Sequence, residues 1–309
     1  MQLRMDLQGW LLLVVLNLFI APNLTAQTAA PARPPLIDMH LHAEKGTSQQ
    51  NWDEVLRGLA AHDVVLAMLS VDDPTGVSGL APGQVEFWIG PSFPCYDGRF
   101  PDMDPCFSED GGWPDLEWLR SQYESGRMRV MGELLYVYYG IPPVDERLEP
   151  FWELAAELDV PVGVHTGRRP RESLPDECCP HYDDDLGNPA LLAPVLERHP
   201  GLRLWLMHAP GWDYLDETIA LMEAHPNVYA EMSVVNSVMP AEMHERHLRA
   251  MEGAGLLDRV MLGSDNMPIG LIVERIETVP FLTEEQKRAI YCGNAARFLQ
   301  LDPAVCAPR

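Results

Sequence analysis

Two histidines stand two residues apart at the end of an apolar run, LIDMHLHAEKG at 36–46, with Asp38 two residues before the first. Successive side chains of a strand alternate faces, so Asp38, His40 and His42 are expected to point the same way. Three polar groups on one face of a strand buried on both sides are costly unless something satisfies them. The same residue types recur, each at the end of a short apolar run: Glu133 in VMGELL, His165 in GVHTG, His208 in MHAPG and Asp265 in LGSDNMP. Imidazoles and carboxylates are the groups that bind Zn²⁺, Mn²⁺ or Fe²⁺. Each also has a bland reading, a strand-end histidine satisfied at a rim or a carboxylate capping a neighbouring helix. Six of them converging on one rim differ from any one alone, because crowded carboxylates and imidazoles are best stabilised by a cation.

The elements that must position these residues follow from hydrophobic periodicity. Short runs rich in β-branched and aromatic residues predict eight strands, at 36–42, 64–70, 85–90, 129–135, 160–166, 202–208, 227–233 and 259–265. Helical periods fall between them at 51–63, 115–126, 146–159, 189–201, 216–227, 241–255 and 283–299, with Asn188 as N-cap and Pro189 at the first helical position of the fourth. Repeated strand–helix units over this length describe an α/β fold, a (β/α)₈ TIM barrel. A doubly wound open sheet would need a glycine-rich phosphate loop after an early strand, and the chain has no G-x-G-x-x-G. Each candidate residue then sits at the carboxyl end of a strand, where barrel active sites are built. Long loops at 91–114 and 166–188, after strands three and five, are expected to overhang that face.

The chain has 309 residues and begins as a targeting segment. One arginine precedes the apolar run WLLLVVLNLFIA, and NLTAQTAA supplies small residues for cleavage. Residues 1–30 are read as a signal peptide cut between Ala26 and Ala30, leaving a barrel domain at 31–309. An uncleaved anchor is the alternative. The mature protein is expected to be secreted or periplasmic, without a membrane span. Export suits the six cysteines, which show no Cys-x-x-Cys spacing and would be free to pair. Cys95 with Cys106 would staple a loop and Cys292 with Cys306 would tie down the tail, while the adjacent Cys178 and Cys179 are not placed. A formal charge of −24 argues against nucleic acid or anionic membranes as partners. A small-molecule substrate is expected, and a second copy of the chain is admitted as a partner.

These motifs resemble the amidohydrolase superfamily, and within it the amidohydrolase-related family. DMHLH resembles its strand-one Asp-x-His-x-His, GVHTG and MHAPG its strand-five and strand-six histidines, and RVMLGSDNMP its strand-eight segment; NVYAEMS and LTEEQKRAIYCGNAARFLQL also read like it. The resemblance implies that His40, His42 and Asp265 hold one metal. Glu133 resembles the strand-four carboxylate that bridges two metals in binuclear branches, where His165 and His208 hold the second. In mononuclear branches His165 joins the first site and His208 stays free to polarise the substrate. Either way the implied cofactor is a divalent transition metal, Zn²⁺ first and Mn²⁺ or Fe²⁺ as alternatives, with Asp265 and His208 in catalytic roles. The implied reaction is hydrolysis of a small amide, ester or lactone by metal-activated water.

Arg168, Arg169 and Arg171 follow strand five and suit a substrate carboxylate. For any one of them, balancing a very acidic surface in solvent is the preferred reading. Tyr136, Tyr138, Tyr139 and Trp212 follow strands four and six, where they could stack on a ring or pack against helices. Two other functions stay open: non-oxidative decarboxylation of a carboxylated aromatic or enoic acid, and a binding barrel without turnover, which a full ligand set argues against. The leader makes a prediction of its own. Intact-mass analysis of exported protein is expected to place the N-terminus between Gln27 and Pro31, and a species starting at Met1 removes the export reading.

Overall fold

The computed structural model describes residues 33–43, 49–71, 85–94, 112–168 and 181–308. The expected leader, Cys95, Cys106, Cys178, Cys179, Arg169 and Arg171 lie outside them. Eight parallel strands run in chain order: β1 (Leu36–Ala43), β2 (Val64–Val71), β3 (Glu86–Pro91), β4 (Met131–Leu134), β5 (Val162–His165), β6 (Leu204–Met207), β7 (Val228–Glu231) and β8 (Val260–Met261). β1 pairs with β2 and β2 with β3, and β4 through β8 pair in sequence, each with its neighbour.

Backbone bonds close both seams between these groups. Arg129 N–H donates to the Ile89 carbonyl at 3.0 Å and Leu135 N–H to the Phe93 carbonyl at 2.7 Å, joining β3 to β4. Met39 N–H donates to the Leu262 carbonyl at 2.9 Å and Asp265 N–H to the His40 carbonyl at 2.7 Å, joining β8 to β1. The ring is therefore a (β/α)₈ barrel. β8 is far shorter than the expected 259–265: its pairing with β7 ends at Met261, and Gly263, Ser264 and Asp265 continue into the mouth.

Around the ring lie α1 (Gln49–Ala61), α2 (Leu116–Glu124), α3 (Glu149–Glu157), α4 (Ala193–Arg198), α5 (Leu215–Ala224), α6 (Val235–Val238), α7 (Ala241–Gly253), α8 (Ile269–Glu277), α9 (Glu284–Arg288) and α10 (Asn294–Phe298). α8 was not expected from the sequence. It buries Ile269, Ile272, Val273 and Ile276, an i, i+3, i+4, i+7 stripe that is legible in IGLIVERIE. The single helix expected at 283–299 is three pieces: α9, capped by a reciprocal Thr283–Gln286 pair, then a wider π turn at Ala289–Gly293, then α10. Asn188 does cap the turn ahead of α4, accepting from Ala190 N–H at 2.9 Å, but Pro189–Leu192 is 3₁₀ rather than α. The expected Cys292–Cys306 disulfide is present, with a Cα–Cα distance of 5.7 Å.

Alternation along the strands divides the core. Leu204, Leu206, Val162 and Val164 join the large cluster that includes Phe151 and Trp152 of α3, whereas Trp205, Met207, Met39 and Met68 join a smaller one with Phe298 and Leu299. Beyond a slip between Leu36 and Ile37 where β1 begins, the alternation breaks twice among the described strands. Register slips in the β1–β2 pairing between Asp38 and Leu41, and in the β4–β5 pairing between Met131 and Leu134. Such irregularities re-aim a side chain at little cost elsewhere. The residues they re-aim are His40 and Glu133.

His244 of α7 is buried beside Arg275 of α8 and His247 of its own helix. Burial, with repulsion from those two neighbours, lowers its pKa from 6.5 to about 4. The folded protein keeps this imidazole neutral where the unfolded chain would protonate it. Its contribution is therefore complete above pH 6.5 and is lost as pH falls toward 4, amounting to on the order of 3 kcal/mol. Urea unfolding of wild type and His244→Gln across that window is expected to show a shallower pH slope in the variant, and equal slopes refute the assignment.

Candidate metal centre

The six residues singled out by type do meet at the carboxyl ends of the strands. Glu133, 4 % exposed, lies at the middle. Its Oε2 faces His42 Nε2 at 3.1 Å and His40 Nε2 at 3.5 Å, and its Oε1 faces His165 Nδ1 at 2.6 Å and His208 Nε2 at 3.4 Å. One carboxylate thus stands between two imidazole pairs. Asp265 joins the first pair only, with Oδ1 3.3 Å from His42 Nε2 and 3.6 Å from His40 Nε2. Two ligand-type triads result: His40, His42 and Glu133, and Glu133, His165 and His208.

Local sequence explains why these atoms can come so close. Gly132 has φ +127° and faces the Gly163 backbone, so a Cβ on it would overlap that chain. The GE pair of VMGELL is a steric requirement at the first position and a chemical one at the second. His208 and Asp265 both take left-handed backbone, φ 62° and 50°, which turns their side chains over the mouth. Asn266, also left-handed, accepts from His42 N–H and donates to the His42 carbonyl, both at 3.1 Å.

A second carboxylate governs orientation and was not singled out from the sequence. Glu231, fully buried at the end of β7, accepts from His40 Nδ1–H at 2.9 Å, from Ser233 N–H at 2.6 Å and from the Ser233 hydroxyl at 2.9 Å. Ser233 Oγ lies 3.0 Å from His40 Nδ1 and 3.1 Å from His208 Nδ1, and the Ser233 carbonyl accepts from His208 Nδ1–H at 3.2 Å. Glu231, His40 and His208 also form a ligand-type triad, but the amides pointing at Glu231 suit an anion there. The signal that could have found Glu231 is its place in AEMS, the strand-end position every other site residue occupies. Gly263 makes the arrangement possible, since a Cβ there would overlap the Glu231 carboxylate.

Asp38 corrects the expectation of one shared face. Its carboxylate accepts from Ser264 N–H at 2.9 Å, the Ser264 hydroxyl at 2.6 Å and His40 N–H at 3.1 Å, pinning β1 to the strand-eight segment. Burial raises its pKa to about 7 against those bonds.

Hydrogen-bond direction tests whether a cation fits. With Nδ1–H of His40 and His208 donating outward, both Nε2 atoms present lone pairs to carboxylate oxygens, and His40 Nε2 also faces His42 Nε2 at 2.9 Å. Acceptors facing acceptors are satisfied by a proton or by a metal ion. Charge gives the same answer. Burial works against ionisation throughout, yet the four imidazoles hold Glu133 well below the usual carboxylate range, and His40, His42 and His208 hold Asp265 low. In return Asp265, Glu133 and Glu231 hold His40 well above its usual value despite burial, and Glu133 and Asp265 raise His208. At His165, as at Asp38, burial wins, and the imidazole is lowered. The donor set fits a divalent cation.

Residues 116–301 match the family described as Amidohydrolase. The chain belongs to this family. No curated protein matches it. Among solved structures, it is similar to dihydroorotase from Saccharomyces cerevisiae (TM-score 0.58, 12 % identity, 88 % of this chain and 86 % of that one). It is also similar to a probable 2-pyrone-4,6-dicarboxylic acid hydrolase from Acinetobacter baumannii (0.55, 11 %, 86 % and 99 %) and to 2,6-dihydroxybenzoate decarboxylase from Rhizobium (0.53, 14 %, 86 % and 99 %). At these identities the likeness is one of fold, and it is the barrel fold. Amidohydrolases use divalent metals, in keeping with the donor set.

Beside the centre opens a cleft of about 630 Å³ lined by Tyr139, Arg168, His181, Tyr182, Asp183, Asp184 and Asp185. Arg168, expected to meet substrate, pairs with Asp185 at 3.2 Å and Asp213 at 3.8 Å and lies 5.5 Å over the Tyr214 ring. Trp212 is exposed. Tyr136 is buried in the core, whereas Tyr138 packs edge-on against His165 at 4.9 Å.

Glu231→Gln keeps the shape of the orienting carboxylate but removes its charge, leaving the His40 ring less firmly set. Metal affinity, measured by chelator competition, is expected to weaken roughly 10- to 100-fold with the fold intact by circular dichroism. Gly263→Ala is expected to act in the same direction by displacing Glu231, and unchanged affinity in both variants removes the orienting role.

Proposed function

We propose that this protein is a metal-dependent hydrolase that adds water to the carbonyl of a small amide, ester or lactone. The observation that carries the reading is Glu133 standing between two imidazole pairs with Asp265 beside one of them. In this proposal His40, His42 and Asp265 would hold one Zn²⁺ and His165 and His208 a second, with Glu133 shared between the two sites and Mn²⁺ or Fe²⁺ as alternatives. A cation held there would supply Lewis acidity, bringing the pKa of water down to about 7 and polarising a carbonyl. Among the described carboxylates of the centre Asp265 is the most open to solvent, its side chain 23 % exposed against 5 % for Glu133. Its carboxylate, kept ionised by the surrounding imidazoles, takes a proton from the attacking water and returns it to the leaving group. Glu231 and Ser233 hold His40 and His208 through their Nδ1 atoms during that transfer.

The competing reading is non-oxidative decarboxylation, whose substrate must carry a carboxylate. Arg168 is the described guanidinium at the cleft, and Asp185 and Asp213 already engage it. That pairing makes Arg168 less available to a substrate carboxylate, which supports the hydrolytic reading. Export to an oxidising compartment remains part of the proposal, supported by the leader pattern at 1–30 and the Cys292–Cys306 bond.

A panel of esters, lactones and amides assayed beside hydroxybenzoates with gas trapping is expected to give hydrolysis without CO₂ release, and CO₂ from the acids alone reverses the assignment. Elemental analysis should find about two metal equivalents, falling by about half in Glu133→Gln and in His208→Asn. A protein with no metal and with activity indifferent to chelators sinks the metallohydrolase reading, while a constant single equivalent makes the site mononuclear with His208 as the polarising group.

A further inference from the structure

Tyr182 stands where the cleft meets the centre. Its hydroxyl lies 3.3 Å from His165 Nε2 and 3.5 Å from the Gly167 carbonyl, and Tyr138 packs edge-on against both rings at 4.9 Å. The Gly167 carbonyl is itself held in place. Gly167 N–H donates to the Gly187 carbonyl at 2.9 Å, and the two chains approach so closely that a Cβ at position 187 would overlap Gly167. A phenol is thus fixed between one histidine nitrogen and one carbonyl oxygen.

His165 faces a conflict at its other nitrogen. Nδ1 lies 2.6 Å from Glu133 Oε1, so in the metal-free protein Nδ1–H donates to the carboxylate, and Nε2 is left as an acceptor. The Tyr182 hydroxyl satisfies it by donating. A cation bound between Glu133 and His165 needs the Nδ1 lone pair, so the neutral ring must carry its proton on Nε2 instead. The ring neither gains nor loses charge; its proton changes nitrogen. Nε2–H then requires an acceptor, and the phenol oxygen becomes one once its own proton turns to the Gly167 carbonyl. A backbone carbonyl at this position would only accept, and a carboxylate would draw a second proton onto the ring. A hydroxyl serves both tautomers.

We propose that Tyr182 is a positioning residue that lets His165 exchange tautomers between the metal-free and metal-loaded states, its hydroxyl donating in the first and accepting in the second. This rests on the proposed function in taking His165 as a ligand.

Two measurements on the full mature protein test it, with Zn²⁺ as the probe. In ¹⁵N-histidine-labelled protein, His165, assigned by comparison with His165→Asn, is expected to give the Nδ1–H pattern without metal and the Nε2–H pattern after Zn²⁺ addition. In chelator competition, Tyr182→Phe is expected to weaken the second Zn²⁺ roughly tenfold while the first binds as in wild type. Tyr182→Leu, which also removes the ring, separates hydroxyl from packing: Phe behaving as wild type with Leu impaired assigns packing alone and overturns the proposal. So does one tautomer in both states. Failure of wild type to bind Zn²⁺ removes both this proposal and the metallohydrolase reading, whereas two ions bound with equal affinity in wild type and Tyr182→Phe remove only the role of Tyr182.

Discussion

A carboxylate with almost no access to water, set among four imidazoles, is the constraint on which the rest of this barrel depends. Glu133 can remain ionised only because each of its oxygens faces a pair of ring nitrogens, and those nitrogens can face it only if three strands and two seams hold them there. Isolating such a charge in an apolar interior costs several kcal/mol, more than most single contacts return. The surrounding chain is shaped by that cost. Register slips aim His40 and Glu133 inward, Gly132 removes a Cβ where β4 meets β5, and Gly263 vacates the space that Glu231 fills.

The seam between β8 and β1 links fold to chemistry most directly. Asp38 accepts from Ser264 and from His40 N–H, and Asp265 N–H donates to the His40 carbonyl, so the residues that close the ring also set the separation between Asp265 and the first histidine pair. Asn266 then clamps His42 from the same loop. A change that loosens this seam reaches the centre without touching a ligand-type atom. Such coupling is expected when catalytic residues sit on rigid strand ends rather than on free loops.

Much of this was legible in the sequence because periodicity and residue type are local properties. Eight apolar runs pointed to the barrel, five of them carrying the six converging His, Glu and Asp residues, and Asn188 and Cys292–Cys306 followed from capping and cysteine spacing. What escaped notice depended on partners distant in the chain. Asp38 shares the two-residue spacing of His40 and His42, yet its carboxylate is engaged by Ser264, more than two hundred residues away. Glu231 reads as one more strand-end acid until its neighbours His40 and Ser233 are seen. Arg168 was read as a substrate contact or as balancing an acidic surface, and the partners that decide for the second, Asp185 and Asp213, depend on where two other loops return. α8 is a different case. Its stripe was present, but a strand expected to run to residue 265 and a helix from 283 left it unread.

Backbone strain marks the same region. Among the described residues, His208, Val234, Asp265 and Asn266 take positive φ close to the centre. Asp and Asn tolerate this conformation, but a β-branched residue does not. Val234, at φ 59° and ψ −56°, forms the tight turn that brings Ser233 back so that its hydroxyl reaches both His40 Nδ1 and His208 Nδ1. Strain of this kind costs on the order of 1 to 3 kcal/mol per residue and persists only where the surroundings over-determine it. Here the surroundings are the bonds of Glu231 and Ser233, each of which satisfies a buried polar group that would otherwise be orphaned. Stability is thereby exchanged for rings of His40 and His208 whose tautomers are set before any ligand arrives, so that both present Nε2 lone pairs to a cation.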